Sequence, residues 1–283
     1  TGKAGQLKGI DYVMPMASAQ VKSCLMLAGM YAQGETSVTE PAPTRDHTER
    51  MLSGFGYPVR KQGNKITINA EGKLTASDID VPSDISSAAF FLVGASIAPG
   101  SDLTLKHVGI NPTRTGVIDI LKLMGAHIEI LNERLVGGEP VADLHVVYSP
   151  LKGIDIPEEL VPLAIDEFPV LFVAAACAEG QTRLSGAEEL RVKESDRIQV
   201  MADGLKILGV DAQPTADGMI IQGGGKIGGG VVDSHGDHRI AMSFSIAGLR
   251  ASAPITILDC ANVNTSFREF KQLVTSLGLD LVS

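Results

Sequence analysis

The chain has 283 residues, is 44% hydrophobic and carries a formal net charge of −9. That length suits two domains with real apolar cores, and the acidic balance argues against a nucleic-acid partner, whose phosphate backbone it would repel. It does not exclude a small anionic ligand in a locally basic cleft. The longest apolar run, PVLFVAAACA at 169–178, is far short of the ~20 residues that span a bilayer, and the opening TGKAGQLKGIDY has no signal-peptide core. Neither membrane nor export is supported. Cys24, Cys177 and Cys260 lie far apart with no C-x-x-C spacing, which fits reduced thiols in the cytoplasm.

Four segments in chain order share one pattern of polar start, amphipathic stretch, glycine stop and β-branched strand. They begin MASAQVKSCLM at Met16, SDISSAAFFLV at Ser83, IDEFPVLFVAA at Ile165 and GDHRIAMSFSI at Gly236. In the first, Val21, Cys24, Leu25 and Ala28 fall at helical spacing and predict the buried stripe, with Gly34 after it as a stop. A second helix follows each time and ends in glycine: TRDHTERMLSGFG, NPTRTGVIDILKLMG, KESDRIQVMADGLKILG and SFREFKQLVTSLG. In the third of these, Ile198, Met201, Leu205 and Leu208 form the expected core stripe. The alternation implies an α/β fold of repeated units, and by itself it says nothing about chemistry.

Placement of the cations is more informative. Helix N-termini carry partial positive charge, so a cation there costs roughly 0.3–1 kcal/mol. Yet Arg45, Arg114, Lys193, Arg197 and Arg239 all fall at or near predicted first turns. Helix starts and guanidinium groups converging on phosphate or carboxylate would explain the recurrence; solvated helix ends remain the other reading. If the helix in VKESDRIQV starts near Lys193, then Lys193, Glu194 and Arg197 share one side of its first turns. They then form either an intrahelical ion network or an oxyanion clamp with Glu194 as a proton carrier.

Taken together, MPMASAQVKS, EPAPTRDHTERML, NPTRTG, IDEFP, LRVKESDR and DHRIAMSF strongly resemble the 5-enolpyruvylshikimate-3-phosphate synthases. The MASAQVKS form is most similar to the bacterial subgroup noted for glyphosate tolerance. The resemblance runs from about residue 5 to the end of the chain. It implies an inside-out α/β barrel of the enolpyruvyl transferase type, with helix N-termini aimed into a cleft between two domains. Residues 1–83 would be the last unit of the first domain, and 84–283 the second domain of three repeated units.

The resemblance also implies the site. Ser18, Ala19, Gln20, Arg45, Asp166 and Lys193 match contacts to shikimate 3-phosphate, and Gln20, Glu194, Arg197, His238 and Arg239 match contacts to phosphoenolpyruvate. Asp166 and Glu194 match the acid/base carboxylates, and no cofactor or metal is implied. Guanidinium clamps would position the reactants, and two carboxylates would handle the addition and elimination protons. The family's Lys-Ser…Arg motif has no counterpart in these residues, which leads us to expect a complementary N-terminal fragment chain as partner, or a non-catalytic piece. Some relatives have a lysine where this sequence has Asn262 and Asn264 in ANVNTSF. A UDP-N-acetylglucosamine enolpyruvyl transferase is a more distant reading, because its reactive cysteine and different motifs are not matched.

Simpler roles suffice for other signals. His235 and His238 in HGDH suit a turn or cap better than a metal pair. GGGKIGGG at 223–230 lacks the residues of a nucleotide loop. The three cysteines sit in apolar sequence and are expected as core filler.

Overall fold

The computed structural model describes residues 7–282; residues 1–6, included above in the opening judged to lack a leader core, lie outside the described residues. Among those described, no helix is long and apolar enough to cross a membrane. The chain divides into two compact units. Among the described residues the first holds 7–82 with 109–113 and 133–141, and the second 83–108, 114–132 and 142–282.

In the first unit, β1 (Asp11–Val13), α1 (Ala19–Gly29), β2 (Glu35–Thr39), α2 (His47–Gly54), β3 (Val59–Gln62) and β4 (Lys65–Asn69) follow one another. The sheet order is β1-β2-β4-β3, with β1 parallel to β2 and the other pairs antiparallel. Ile66 and Ile68, two apart on β4, point to one face and build the core with Met26, Leu52 and Tyr57.

Helix α1 forms where its spacing predicts, but its inward stripe is Lys22, Met26 and Gly29, not Val21, Cys24, Leu25 and Ala28. Two contacts set that rotation. A Cβ on Gly29 would stand 2.7 Å from the Thr36 side chain, so this edge of the helix is pressed against β2. The Lys22 ammonium lies 3.2 Å from Glu40 and 2.7 Å from Glu49, all three side chains being buried. An ammonium between two carboxylates is tolerable in the interior where a lone one is not.

From residue 83 the pattern repeats. The first repeat comprises α3 (Ile85–Ile97), β5 (Asp102–Gly109), α4 (Gly116–Leu123), β6 (His127–Val136) and β7 (Glu139–Val147). The second comprises α5 (Phe168–Cys177), β8 (Gly180–Leu184), α6 (Arg197–Ile207), β9 (Asp211–Pro214) and β10 (Met219–Gly223). The third comprises β11 (Gly230–Asp233), α7 (His238–Ala247), β12 (Ile255–Leu258), α8 (Val263–Ser266) and α9 (Phe270–Ser276). The sheets β5-β7-β6 and β8-β10-β9 both put the last strand of the repeat in the middle, as β2-β4-β3 does in the first unit; β11 pairs parallel with β12. The first unit and the first two repeats thus share one chain path, and the third repeat keeps a parallel strand pair.

Helices α3, α5 and α7 pack on one another and form the core of the second unit. Their sequences explain why: ISSAAFFLVGASI and FPVLFVAAAC are apolar on all sides, and such helices have no face for water. The outer helix α6 is amphipathic, and its predicted stripe Ile198, Met201, Leu205 and Leu208 is fully buried. Phe270 of α9 meets Phe90 of α3 edge to face at 5.8 Å.

The cysteines correct one expectation. Cys24 and Cys260 are exposed, one on the outward face of α1 and the other in the loop after β12. Only Cys177, closing α5, fits the core role, and burial pushes its thiol up to about 11.

Where α6 crosses α7, an added Cβ on Gly204 would stand 2.2 Å from Phe244 Cζ, and Phe244 is fully buried. Helix propensity alone would make Gly204→Ala stabilising by about 1 kcal/mol, but forced overpacking costs about 1–3 kcal/mol. We expect the clash to win, lowering the urea-denaturation midpoint; a midpoint equal to or above wild type would refute the close crossing.

Candidate active site

In the first unit, the predicted residues sit at two helix starts that one buried ion cluster ties together. Ser18 is the N-cap of α1, accepting a hydrogen bond from Val21 N at 3.3 Å, and Ala19 and Gln20 open the helix. Arg45 lies in the loop that runs from Glu40 to α2. Thr44 in that loop donates to Glu40, and Glu40 accepts from Lys22 on α1, so the loop and the helix start share an anchor. Ser23 of α1 and Thr48 of α2 add a hydroxyl pair at 2.7 Å. Lys22, Glu40 and Glu49 were not among the predicted site residues. Their signal was the spacing of Lys22 to Met26 and Gly29, which places the lysine on the inward face.

The second unit brings six predicted residues together. Three helix starts carry them: Asp166 just before α5, Arg197 at the first position of α6, and His238 and Arg239 opening α7. Lys193 and Glu194 precede α6, following a short 3-10 turn at Glu188–Val192. This corrects the expected helix start at Lys193. Asp196 caps the helix by accepting from Gln199 N at 3.0 Å, so the helix begins at Arg197, the residue after this cap. Lys193 and Glu194 are therefore loop residues that reach the site from outside the helix.

Arg197 is the centre of the arrangement. It is 1% exposed and is clamped by Asp237, the fully buried N-cap of α7. Its Nε donates to Asp237 Oδ2 at 2.8 Å and its Nη2 donates to Glu194 Oε2 at 2.6 Å. Its third nitrogen, Nη1, is buried, donates no hydrogen bond among the described residues, and faces Asp166 Oδ1 from 3.6 Å. A buried guanidinium donor without an acceptor costs about 1–3 kcal/mol, and a ligand oxygen would satisfy it.

Around Nη1 the charges alternate. Lys193 Nζ lies 3.5 Å from Asp166 Oδ1 and also pairs with Glu189. Arg239 Nη1 donates to the Asp166 carbonyl at 3.0 Å. Burial alone would raise the Asp237 carboxyl, but the hydrogen bonds and charge of Arg197 hold it below the usual carboxylate range. Burial, with Arg239 beside it, holds the His238 imidazole below its ordinary value and so favours its neutral form. The site thus offers three cations, the partial positive ends of three helices and two carboxylates able to carry protons. Such a set can fix a doubly anionic substrate and move a proton beside it. The pairing of Asp237 with Arg197 escaped the sequence reading, although the cap position of Asp237 before HRIAMSF was visible.

The fold is that of the enolpyruvyl transferases: the enolpyruvyl transferase NikO from Streptomyces tendae superposes over 90% of this chain with a TM-score of 0.74 at 17% identity. The family model described as EPSP synthase (3-phosphoshikimate 1-carboxyvinyltransferase) matches residues 1–273, and the chain belongs to that family. The 3-phosphoshikimate 1-carboxyvinyltransferase of Methylococcus capsulatus is 71% identical over 276 residues, 98% of this chain and 63% of the relative. That of Alkalilimnicola ehrlichii is 70% identical over 282 residues, 99% of this chain and 63% of the relative. A solved EPSP synthase from Acinetobacter baumannii, 65% identical, covers 97% of this chain and 63% of its own with a TM-score of 0.93. The chain thus spans about 63% of the length of these relatives.

Removing Asp237's charge tests the clamp. We expect Asp237→Asn to lower stability by about 3–5 kcal/mol at pH 7, because it leaves a buried guanidinium short of its counter-ion. A carboxyl whose folded pKa is depressed stabilises fully above its unfolded value of about 3.9 and loses that contribution as pH falls through the lower folded value. The difference between wild type and variant should therefore be flat from about pH 8 to 5 and shrink only in the acid limb. Urea titrations at several pH values measure it; a difference under about 1 kcal/mol at pH 7 would contradict the clamp.

Proposed function

We propose that this chain supplies the Arg197-centred site of an enzyme that transfers the enolpyruvyl group of phosphoenolpyruvate to the 5-hydroxyl of shikimate 3-phosphate, releasing phosphate, in the shikimate pathway of aromatic amino-acid biosynthesis. The observation that carries the reading is the buried Arg197 Nη1, held by Asp237 and left with a donor to spare beside Asp166. Membership of the family supplies the reaction, and the cations and helix starts supply what its two anionic substrates require.

On this reading Ser18, Ala19, Gln20, Arg45 and Lys193 hold shikimate 3-phosphate, while Gln20, Glu194, Arg197, His238 and Arg239 hold phosphoenolpyruvate. Asp166 takes the proton of the 5-hydroxyl as its oxygen attacks C2 of phosphoenolpyruvate, and Glu194 delivers a proton to C3. Loss of a proton from C3 and of phosphate from C2 then leaves the enolpyruvyl ether. The half-exposed Glu194 is hydrogen-bonded to Arg197, which keeps its carboxyl group beside the guanidinium that holds phosphoenolpyruvate on this reading. Residues 1–83 would belong to an N-terminal domain and 84–283 to a C-terminal one, in a cytoplasmic enzyme.

A second reading has one observation in its favour: the chain spans about 63% of its relatives, so the chain by itself would be a non-catalytic part. Both readings meet in one assay, phosphate release from the two substrates. We expect none from the 283-residue chain alone and recovery when the portion that the relatives carry beyond it is added as a separate polypeptide. In that assembly Asp166→Asn should cut turnover by about a hundredfold or more with both substrates still bound. Robust release from the chain alone, or near-normal turnover by the variant, would overturn the respective assignment.

A further inference from the structure

Arg114 is among the cations found near helix starts, and the reading above gives it no task. Its side chain is 15% exposed, and its Nη2 donates to Ser86 Oγ at 2.5 Å and to Asp84 Oδ1 at 3.3 Å, both at the start of α3. Ser86 in turn donates to Glu167 Oε1. Glu167 is 3% exposed, and the same oxygen lies 3.6 Å from Arg239 Nη1 and 4.0 Å from Arg114 Nη2. One buried carboxylate therefore joins the start of α3, the segment before α4, the start of α5 and the first turn of α7.

Capping does not account for this carboxylate. Glu167 occupies the N-cap position of α5, yet its side chain caps no N–H of that helix. It turns instead to Ser86 and Arg239. Keeping a carboxylate there is costly: burial pushes Glu167 up, against the opposing pull of Ser86 and the two arginines. For packing alone, an apolar side chain of the same size would do as well or better.

What the carboxylate controls is direction. Arg239 Nη1 is held at two points by adjacent residues, the Asp166 carbonyl at 3.0 Å and Glu167 Oε1 at 3.6 Å. Those two contacts restrain the Nη1 end of the guanidinium. They also tie it to the 166–167 peptide, which carries the Asp166 carboxylate. Without Glu167, the positive charges of Arg114 and Arg239 would face each other with less compensation, and Arg239 would swing towards solvent.

We propose that Glu167, backed by Ser86 and Arg114, is a positioning residue: it sets the direction of the Arg239 guanidinium towards phosphoenolpyruvate without touching either reactant. The inference rests on the proposed function, in which Arg239 holds that substrate. The test is steady-state kinetics of the full-length enzyme carrying Glu167→Gln, Arg114→Met, or both. Glu167→Gln should raise KM for phosphoenolpyruvate about tenfold or more and leave KM for shikimate 3-phosphate within about twofold, since only one substrate contacts Arg239. Arg114→Met should move the same parameter in the same direction by less, and the double variant should fall short of the product of the two effects.

A merely structural role would instead lower the active fraction, reducing kcat with both KM values unchanged, or would raise both KM values equally. Either result overturns the proposal. If Glu167→Gln does not fold, Arg114→Met decides: an unchanged phosphoenolpyruvate KM overturns the proposal and a selective rise supports it. A wild-type enzyme that releases no phosphate from these substrates would overturn the functional reading and this inference with it. A normal wild type with an unaltered Glu167→Gln would overturn the inference alone.

Discussion

Burying the guanidinium of Arg197 against the carboxylate of Asp237 is the constraint on which the second unit's site depends. Neither charge could be buried without the other, since a single ion loses several kcal/mol of hydration with nothing to replace it. Together they are stable enough to fix a geometry. Asp237 caps α7 while holding Arg197 of α6, so the two helix starts are locked to each other by one residue. The donor left over on Arg197 then has a defined direction, towards Asp166 at the start of α5.

The core exists to support this arrangement. Helices α3, α5 and α7 are largely apolar along their length, and their charged residues lie at their starts. Apolar burial places the helices, and the charged residues at their starts are carried along to one place. The cost of gathering cations at positive helix ends is offset inside the protein by Asp237, Glu167 and Asp166, each paired with at least one arginine. In the first unit the same logic is inverted. There a buried ammonium, Lys22, is shared by Glu40 and Glu49, and the helix start and loop they join bear Ser18, Gln20 and Arg45.

Much of this was legible in the sequence because it follows from periodicity. The alternation of helices and strands, the α6 stripe from Ile198 to Leu208, and Arg197 and Arg239 in the first turns of α6 and α7 appear where the spacing puts them, whereas Lys193 falls in the loop before α6. Charge pairing inside the core was not legible. The rotation of α1 was misjudged because Lys22 counts as polar by composition and is neutralised only by residues 18 and 27 positions away in sequence, Glu40 and Glu49. The start of α6 was placed early because a run of charges masks which one is the cap, and only the Asp196 bond to Gln199 N settles it. Arg114 was noticed as a cation out of place, but its partners Ser86 and Glu167 are distant in sequence and adjacent only in the fold.

The central claim is that Arg197 presents a directed donor to phosphoenolpyruvate, and Arg197→Lys in the full-length enzyme tests it most directly. A lysine keeps the positive charge opposite Asp237, but its single ammonium cannot hold that carboxylate and also replace the Nη1 contact. Losing one charge-assisted hydrogen bond of roughly 1.5–3 kcal/mol should raise KM for phosphoenolpyruvate by about ten- to a hundredfold, with shikimate 3-phosphate affinity nearly unchanged. Equal losses for both substrates, or a normal phosphoenolpyruvate KM, would contradict the account.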